Sequence, residues 1–340
     1  MASEPRIIFC DDSNLVVKRA YRKLLRRGRF GLIRAELVNN YLTWRRLDRS
    51  SIKSSLRIMD IELTNYCNHK CKFCLTGLNA NARPKGKMDL NTFKNTLRDV
   101  APGTTLVFAG FGEPFLNEDL ERFVEHAATL GLSEDIEILS NFGAISEKRI
   151  RNLLDYPFKR LVISLDSMSR ETFMEYRGCD DFDRVFDNIK ILSDEAKKRK
   201  RARQELMVQM VISKKNLNES QLFVETMRHL NLIPRLKQLN THNSFADEGK
   251  IGEFEVPEYS RYSNRGYSRD CEWVWGGITV LWNGDVSICC QDAAGTEVYG
   301  NVNAQNKVEL LNTAESRCEF RRKYFDNPGQ IELCRRCDVA

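Results

Sequence analysis

Three cysteines stand in one short segment, Cys67-Asn-His-Lys-Cys71-Lys-Phe-Cys74. Three thiolates on one loop can hold three irons of a 4Fe–4S cube and leave the fourth iron without a protein ligand. An iron left open in that way can bind a substrate or cofactor directly. The competing chemistry is a zinc loop with His69 as fourth ligand, although zinc favours complete tetrahedral sites and Cys-x3-Cys-x2-Cys is an unusual zinc spacing. A second group of thiols lies late in the chain, at Cys271, Cys289, Cys290, Cys318, Cys334 and Cys337, while Cys10 and Cys179 stand alone. Eleven cysteines in 340 residues, clustered as these are, point to metal in a reducing compartment.

The elements that must position these thiols follow from hydrophobic periodicity. Arg57–Asn65, Thr104–Gly110, Ile136–Ser140, Arg160–Leu165, Leu206–Ser213 and Ile233–Leu239 read as strands. Helical patterns separate them at Leu90–Val100, Glu118–Leu130, Glu147–Asp155, Phe182–Arg199 and Glu219–Leu230. This alternation predicts an α/β fold of parallel strands with helical crossovers. Six units are too few for a closed eight-unit barrel, so the expected architecture is a partial (β/α)6 TIM-like barrel. Beyond residue 245 the pattern changes. Gly277–Trp282 and Val286–Cys289 flank Asn283-Gly284-Asp285, a strong β-hairpin signal. A helix is expected over Glu309–Tyr324, before the terminal Cys-x2-Cys. The expected division is a basic helical extension over 1–56, the partial barrel over 57–245 and a small cluster-binding domain with a hairpin over 246–340.

Composition sets the outer bounds. Hydrophobic residues make up 42% and charged residues 29%, which excludes wholesale disorder. There is no run of eighteen apolar residues and no apolar signal core near the start, so a cytoplasmic protein is expected. The formal charge of +6 is unevenly placed, because residues 15–50 hold 11 Lys/Arg against 2 Asp/Glu. That stretch is either a solvated face or a weak contact for an anionic partner such as a nucleotide sugar, a phospholipid surface or a reductase. Nucleic acid is not expected.

On these residues the sequence resembles the radical S-adenosylmethionine (SAM) superfamily. The Cys67, Cys71 and Cys74 loop follows the first strand, with Phe73 before its last cysteine. Gly110-Phe-Gly112-Glu113-Pro114 after the second strand is similar to the family's Gly-Glu-Pro motif, where Gly112 would let backbone approach the methionyl amino group. Ser140-Asn141 and Ser164-Leu-Asp166 end the third and fourth strands and resemble its ribose contacts. Val211 on the fifth strand resembles its adenine-packing position. All but Val211 fall at the carboxyl ends of parallel strands, where such folds bind ligands. The late cysteines resemble the shortened SPASM, or twitch, domain: Cys271, then Gly284-x4-Cys289, then Cys334-x2-Cys337. That resemblance implies a second, fully ligated 4Fe–4S cluster. A four-cysteine zinc site is the alternative, Cys290 competes with Cys289 as a ligand, and Cys318 reads as packing.

The resemblance implies two 4Fe–4S clusters and SAM as cofactors, a flavodoxin- or ferredoxin-type reductant, and hydrogen abstraction by a 5′-deoxyadenosyl radical. Relatives bearing a twitch domain include enzymes of aminoglycoside and other carbohydrate pathways. The expected substrate is therefore a sugar, aminocyclitol or glycoside, with epimerisation, alcohol dehydrogenation or dehydration as the outcome. Epimerisation needs a hydrogen-atom donor, for which Cys179 is the first candidate and Cys290 the second. His242 and Glu248 are candidates to help water leave. Peptide maturation is the alternative within the family, and a two-site zinc scaffold is the alternative outside it.

Overall fold

The computed structural model describes residues 8–10, 55–72, 74–77, 83–199, 204–239, 254–256, 271–335 and 337. Most of the helical extension expected over 1–56 lies outside the described residues, as do Phe73, His242 and Glu248. In chain order the elements are β1 (Ile8–Cys10), β2 (Ile58–Ile61), α1 (Leu90–Leu97), β3 (Thr105–Phe108), α2 (Leu120–Thr129), β4 (Ile136–Ser140) and α3 (Glu147–Leu153). Next come β5 (Arg160–Ser164), α4 (Arg170–Arg177), α5 (Phe182–Lys198), β6 (Glu205–Ile212), α6 (Ser220–His229) and β7 (Ile233–Gln238). The C-terminal part adds α7 (Glu272–Gly276), β8 (Gly277–Val280), β9 (Asp285–Ser287), β10 (Val298–Asn301), α8 (Lys307–Asn312), α9 (Glu315–Asp326) and α10 (Glu332–Arg335).

The strands form one sheet in the order β1-β7-β6-β5-β4-β3-β2-β8-β9-β10. β2 to β7 are the six expected strands, and each pairs in parallel with the next. Both edges are extended from outside this set. β1 adds in parallel to β7, and β8 adds in parallel to β2 through the register Asp60↔Thr279. The described ladders run from β1 to β10 without joining, so the barrel is open. The hairpin expected around Gly284 is β8–β9, with Gly284 at φ +89° in the turn. Its strand β8 belongs to the barrel sheet.

Alternation along the strands separates two faces. Met59, Ile61, Leu106, Phe108, Val208 and Met210 join one apolar core with helix residues such as Phe123, Ile189 and Phe223. Burial of each such side chain contributes roughly 1.5–3 kcal/mol. Asp60, Thr279, Ser164, Gln209 and Val211 fall on the opposite, inner face. Local capping explains the helix starts: Asp89, Ser146 and Ser169 each accept a hydrogen bond from an amide one turn ahead. α4 was not expected from periodicity, yet its Ser169 cap and left-handed Gly178 at φ +63° mark both of its ends. The helix expected over Glu309–Tyr324 is two helices, because Ala314 leaves the helical conformation, at φ −57° and ψ 124°, between α8 and α9.

Candidate active site

The segment that carries the first thiols is fixed before it reaches them. Asn65 donates to the Pro84 carbonyl at 2.8 Å and accepts from the Gly86 amide at 2.8 Å. The cysteine loop then docks on the C-terminal end of α4. The Lys70 and Lys72 amides donate to the Arg177 and Tyr176 carbonyls at 2.9 and 3.0 Å. A Cβ on Gly178 would meet the Lys70 carbonyl oxygen at 2.4 Å, so a bare backbone is required there. Cys67, Cys71 and Cys74 are half-buried. Burial pushes the Cys67 thiol up to about 12 and raises that of Cys71. Thiols in such a setting need a bound cation to persist as thiolates.

Among the described residues, two side chains reach these sulfurs. Asn141 Nδ2 lies 3.7 Å from Cys67 Sγ, and Arg177 Nη1 lies 3.4 Å from Cys71 Sγ. Arg177 is buried and also pairs with Asp166 at 2.8 Å. Reading along the sequence missed Arg177. Its signal was the Tyr-Arg-Gly at the end of a capped helix.

The other expected residues form a network around this loop. Glu113 is buried and accepts from the Ser140 hydroxyl and the Asn141 amide, both at 2.7 Å, and from the Phe115 amide at 3.1 Å. Burial raises its pKa, against these donors. Pro114 opens a short 3-10 turn after Glu113. Gly112 packs under the cysteine-loop segment, where a Cβ would meet the Thr64 carbonyl oxygen at 2.0 Å. Gly110 has φ +83° and lies against Glu62. Asp166, at φ +64°, accepts from the Val211 amide at 2.8 Å, and the Ser164 hydroxyl accepts from Gln209 at 2.7 Å. The structure thus joins the ends of β4, β5 and β6 to the cysteine loop through side chains.

Cys179 sits elsewhere in this neighbourhood. Its sulfur, a His69 ring nitrogen and an Asp181 oxygen lie within 4.8 Å of one another. The His69 side chain is buried, its Nε2 is 3.3 Å from Asp181 Oδ2, and its ring packs edge-on against Phe173. Burial, with the Arg177 charge nearby, holds His69 down at about 4. Burial also pushes the Cys179 thiol up to about 11. His69 therefore contacts Asp181 instead of completing a zinc site with the three cysteines.

On the inner face, Asp60 was not singled out by sequence. It is buried, its Oδ1 has no hydrogen-bond partner, and the hydroxyl of its register neighbour Thr279 has none either. Burial first, and Glu62 second, raise the Asp60 pKa to about 7. Arg83 forms a two-bonded pair with Glu62 at 2.8 and 2.6 Å and donates to the Ala293 carbonyl at 2.7 Å, tying the barrel to the C-terminal part.

In that part, Cys271 precedes α7, Cys289 and Cys290 follow β9, and Cys334 and Cys337 bracket a turn closed by the Cys337 amide on the Cys334 carbonyl at 3.0 Å. Cys289 is electrostatically close to Cys271 and Cys337, as Cys334 is. Cys290 is close to the same two and to Asp60. Cys318 lies on α9, with its thiol directed at the Asn312 carbonyl. Three thiols on one loop, and thiols drawn together from the Cys271, Cys289 and Cys334–Cys337 segments, are donor sets that fit a cluster with one open iron and a fully ligated one.

Comparison with known proteins agrees. Residues 61–212 match the Radical SAM superfamily, and residues 271–338 match an iron–sulfur cluster-binding domain, SPASM. The chain carries a radical SAM domain followed by a SPASM-type cluster domain. Together the two imply SAM and two 4Fe–4S clusters as cofactors, so the zinc alternative falls. An uncharacterized protein of Methanocaldococcus jannaschii, MJ0804, is 32% identical over 134 residues, 39% of this chain and 42% of that one. A GTP 3',8-cyclase of Clostridium acetobutylicum is 28% identical over 130 residues, 38% of this chain and 41% of that one. The chain spans less than half the length of these two relatives. Among solved structures, BtrN in complex with AdoMet and 2-DOIA superposes with a TM-score of 0.54 at 16% identity, over 84% of this chain and 94% of that one. Streptococcus suis SuiB bound to S-adenosylmethionine gives 0.59 at 14% identity, over 79% and 68%. These likenesses establish the shared fold. No helix among the described residues is long and apolar enough to cross a membrane.

Proposed function

We propose that this chain is a radical SAM enzyme that removes hydrogen from a carbinol carbon of a small hydroxylated substrate, such as a sugar or aminocyclitol. The observation that carries the reading is Asp60, a buried carboxyl on the inner face with an unpaired oxygen, whose register neighbour Thr279 has an unpaired hydroxyl. Such a pair offers one acceptor for a substrate hydroxyl proton and one donor or acceptor to orient it. When bound, the SAM-ligated cluster supplies the hydrogen-abstracting radical and the second cluster an electron acceptor.

Cys67, Cys71 and Cys74 would hold the first cluster, and Cys271, Cys289, Cys334 and Cys337 the second. Arg177 would place a fixed positive charge beside Cys71. Gly110, Gly112, Glu113 and Pro114 would shape the backbone on which SAM rests. Glu113 would do so indirectly, by holding Ser140 and the Asn141 amide. Asn141, Ser164, Asp166 and Val211 would line the nucleoside side. Asp60 would accept the hydroxyl proton on the path to a ketone. Inversion would instead need a thiol donor, Cys179 or Cys290. BtrN, whose structure holds 2-DOIA, supports the carbohydrate-like class.

A second reading has a specific support, because several sequence relatives are GTP 3',8-cyclases. Peptide maturation is kept by SuiB, solved bound to its precursor peptide SuiA. The test is anaerobic purification with iron counting, then a dithionite assay for 5′-deoxyadenosine with separate panels of aminocyclitols, GTP and peptides. Substrate-dependent ketone or inverted alcohol from the first panel supports the reading. Turnover of GTP or peptide alone overturns it.

A further inference from the structure

Among the described residues, the C-terminal site contains a buried charge without a matching acid. Arg317 on α9 is fully buried. Its Nη1 donates to the Tyr299 hydroxyl at 2.9 Å and to the Ile288 carbonyl at 3.3 Å. Its Nη2 donates to the carbonyls of Trp273, Val274 and Gly277 at 2.9, 3.0 and 2.9 Å. Its Nε has no partner, and no carboxylate among the described residues pairs with it. The guanidinium lies over the Tyr299 ring, 4.9 Å from its centroid. Arg321, one turn further on, is also buried and donates to the Val274 and Trp275 carbonyls at 3.0 and 3.2 Å.

A buried cation costs several kcal/mol unless an opposite charge offsets it. Carbonyl dipoles give a part of that offset. The carbonyls that Arg317 binds belong to the two segments beside Cys271 and Cys289, and both sulfurs act on its charge. Four thiolates around a 4Fe–4S core carry net negative charge, and net charge together with hydrogen bonding sets the potential of such a cluster. The charge missing from the protein is thus of the sign that the cluster brings.

We infer that Arg317, seconded by Arg321, is the built-in counter-charge of the auxiliary cluster and raises its reduction potential, favouring it as an electron acceptor. This rests on the reading that Cys271, Cys289, Cys334 and Cys337 hold that cluster. Removal of the charge makes reduction harder, and a change of charge state in the cluster is felt by both arginines.

The test is a redox titration followed by electron paramagnetic resonance, in a Cys67→Ala/Cys71→Ala/Cys74→Ala background that isolates the auxiliary cluster. The background should keep about four irons per chain. Loss of all iron there would overturn the ligand reading itself. With iron retained, Arg317→Gln should lower the midpoint by at least about 59 mV, a tenfold change in the one-electron equilibrium, and Arg317→Lys should recover most of it. A clamp with no electrostatic role would lower cluster occupancy in both variants and leave the midpoint of the remaining clusters unchanged, which overturns the inference. If Arg317→Gln does not fold, Arg321→Gln gives the same reading. A midpoint equal to the parent in that variant overturns it as well.

Discussion

The two cysteine sites of this chain are built on opposite plans. The loop of Cys67, Cys71 and Cys74 offers three thiols, docks on α4 through backbone bonds, and has polar side chains at its sulfurs: Asn141 and Arg177 in contact, with Glu113 and Asp166 behind them. The C-terminal site gathers Cys271, Cys289, Cys290, Cys334 and Cys337, and Arg317 and Arg321 hold its segments through backbone carbonyls. Polar side chains near an incomplete ligand set can be shared with an incoming molecule. Backbone carbonyls bound to buried arginine leave nothing to share. The comparison teaches that one site is made to receive a ligand, and the other to hold a cluster with its surroundings fixed.

The largest expected effect breaks the comparison at its first half. Cys67→Ala should abolish 5′-deoxyadenosine formation while about four irons remain on the C-terminal site, read by iron analysis and chromatography. At the second half, Cys289→Ala should drop iron from about eight to about four per chain and leave SAM cleavage intact. Cys290→Ala should leave the iron count unchanged, which sharpens the choice between adjacent thiols. The reverse result would move the ligand to Cys290.

Asp60 on β2 is close in charge to Glu62, just beyond the end of its strand, and to Cys290 from the segment after β9. Asp60→Asn should cut substrate turnover by about 10²–10⁴-fold and spare SAM cleavage. In the parent, turnover should rise with pH through about 7, because the carboxyl must be ionised to accept a proton. The sign for stability is opposite. A carboxyl whose folded pKa is raised stabilises the fold fully below its unfolded value, and that contribution is lost as pH rises through about 7. A pH profile of turnover beside a pH series of melting temperatures checks both. The smallest effect belongs to Cys179→Ala. If the outcome is oxidation, turnover should stay within about twofold, as for a half-buried packing thiol. Loss of turnover, together with solvent deuterium at the carbinol carbon in the parent, would make Cys179 the donor of an epimerase.

Periodicity placed β2 to β7, because a strand buried on its helix side must repeat apolar residues at every second position, as Met59 and Ile61 do. It could not place β8 on β2, since a short apolar strand in a hairpin looks the same whether or not its free edge joins another sheet. α4 escaped notice because its eight residues carry a weak apolar face, although Ser169 and Gly178 announce its ends. The helix break at Ala314 has no proline or glycine to mark it. At the site, cysteine spacing was legible because ligands of one cluster must come from one short loop or from segments the fold brings together.

Residue type and spacing alone therefore marked the thiols as metal ligands, three on one loop and the others in the C-terminal segments, and the resemblance to the radical SAM superfamily chose iron–sulfur clusters over zinc. Only the tertiary structure decided that Arg177 reaches Cys71, that Asp60 faces inward with an open oxygen, and that Arg317 lies buried between the Cys271 and Cys289 segments. An arginine or an aspartate is an ordinary surface residue in any sequence. Burial and the neighbours that come with it give the charge its role, and those are set by contacts between residues far apart in the chain.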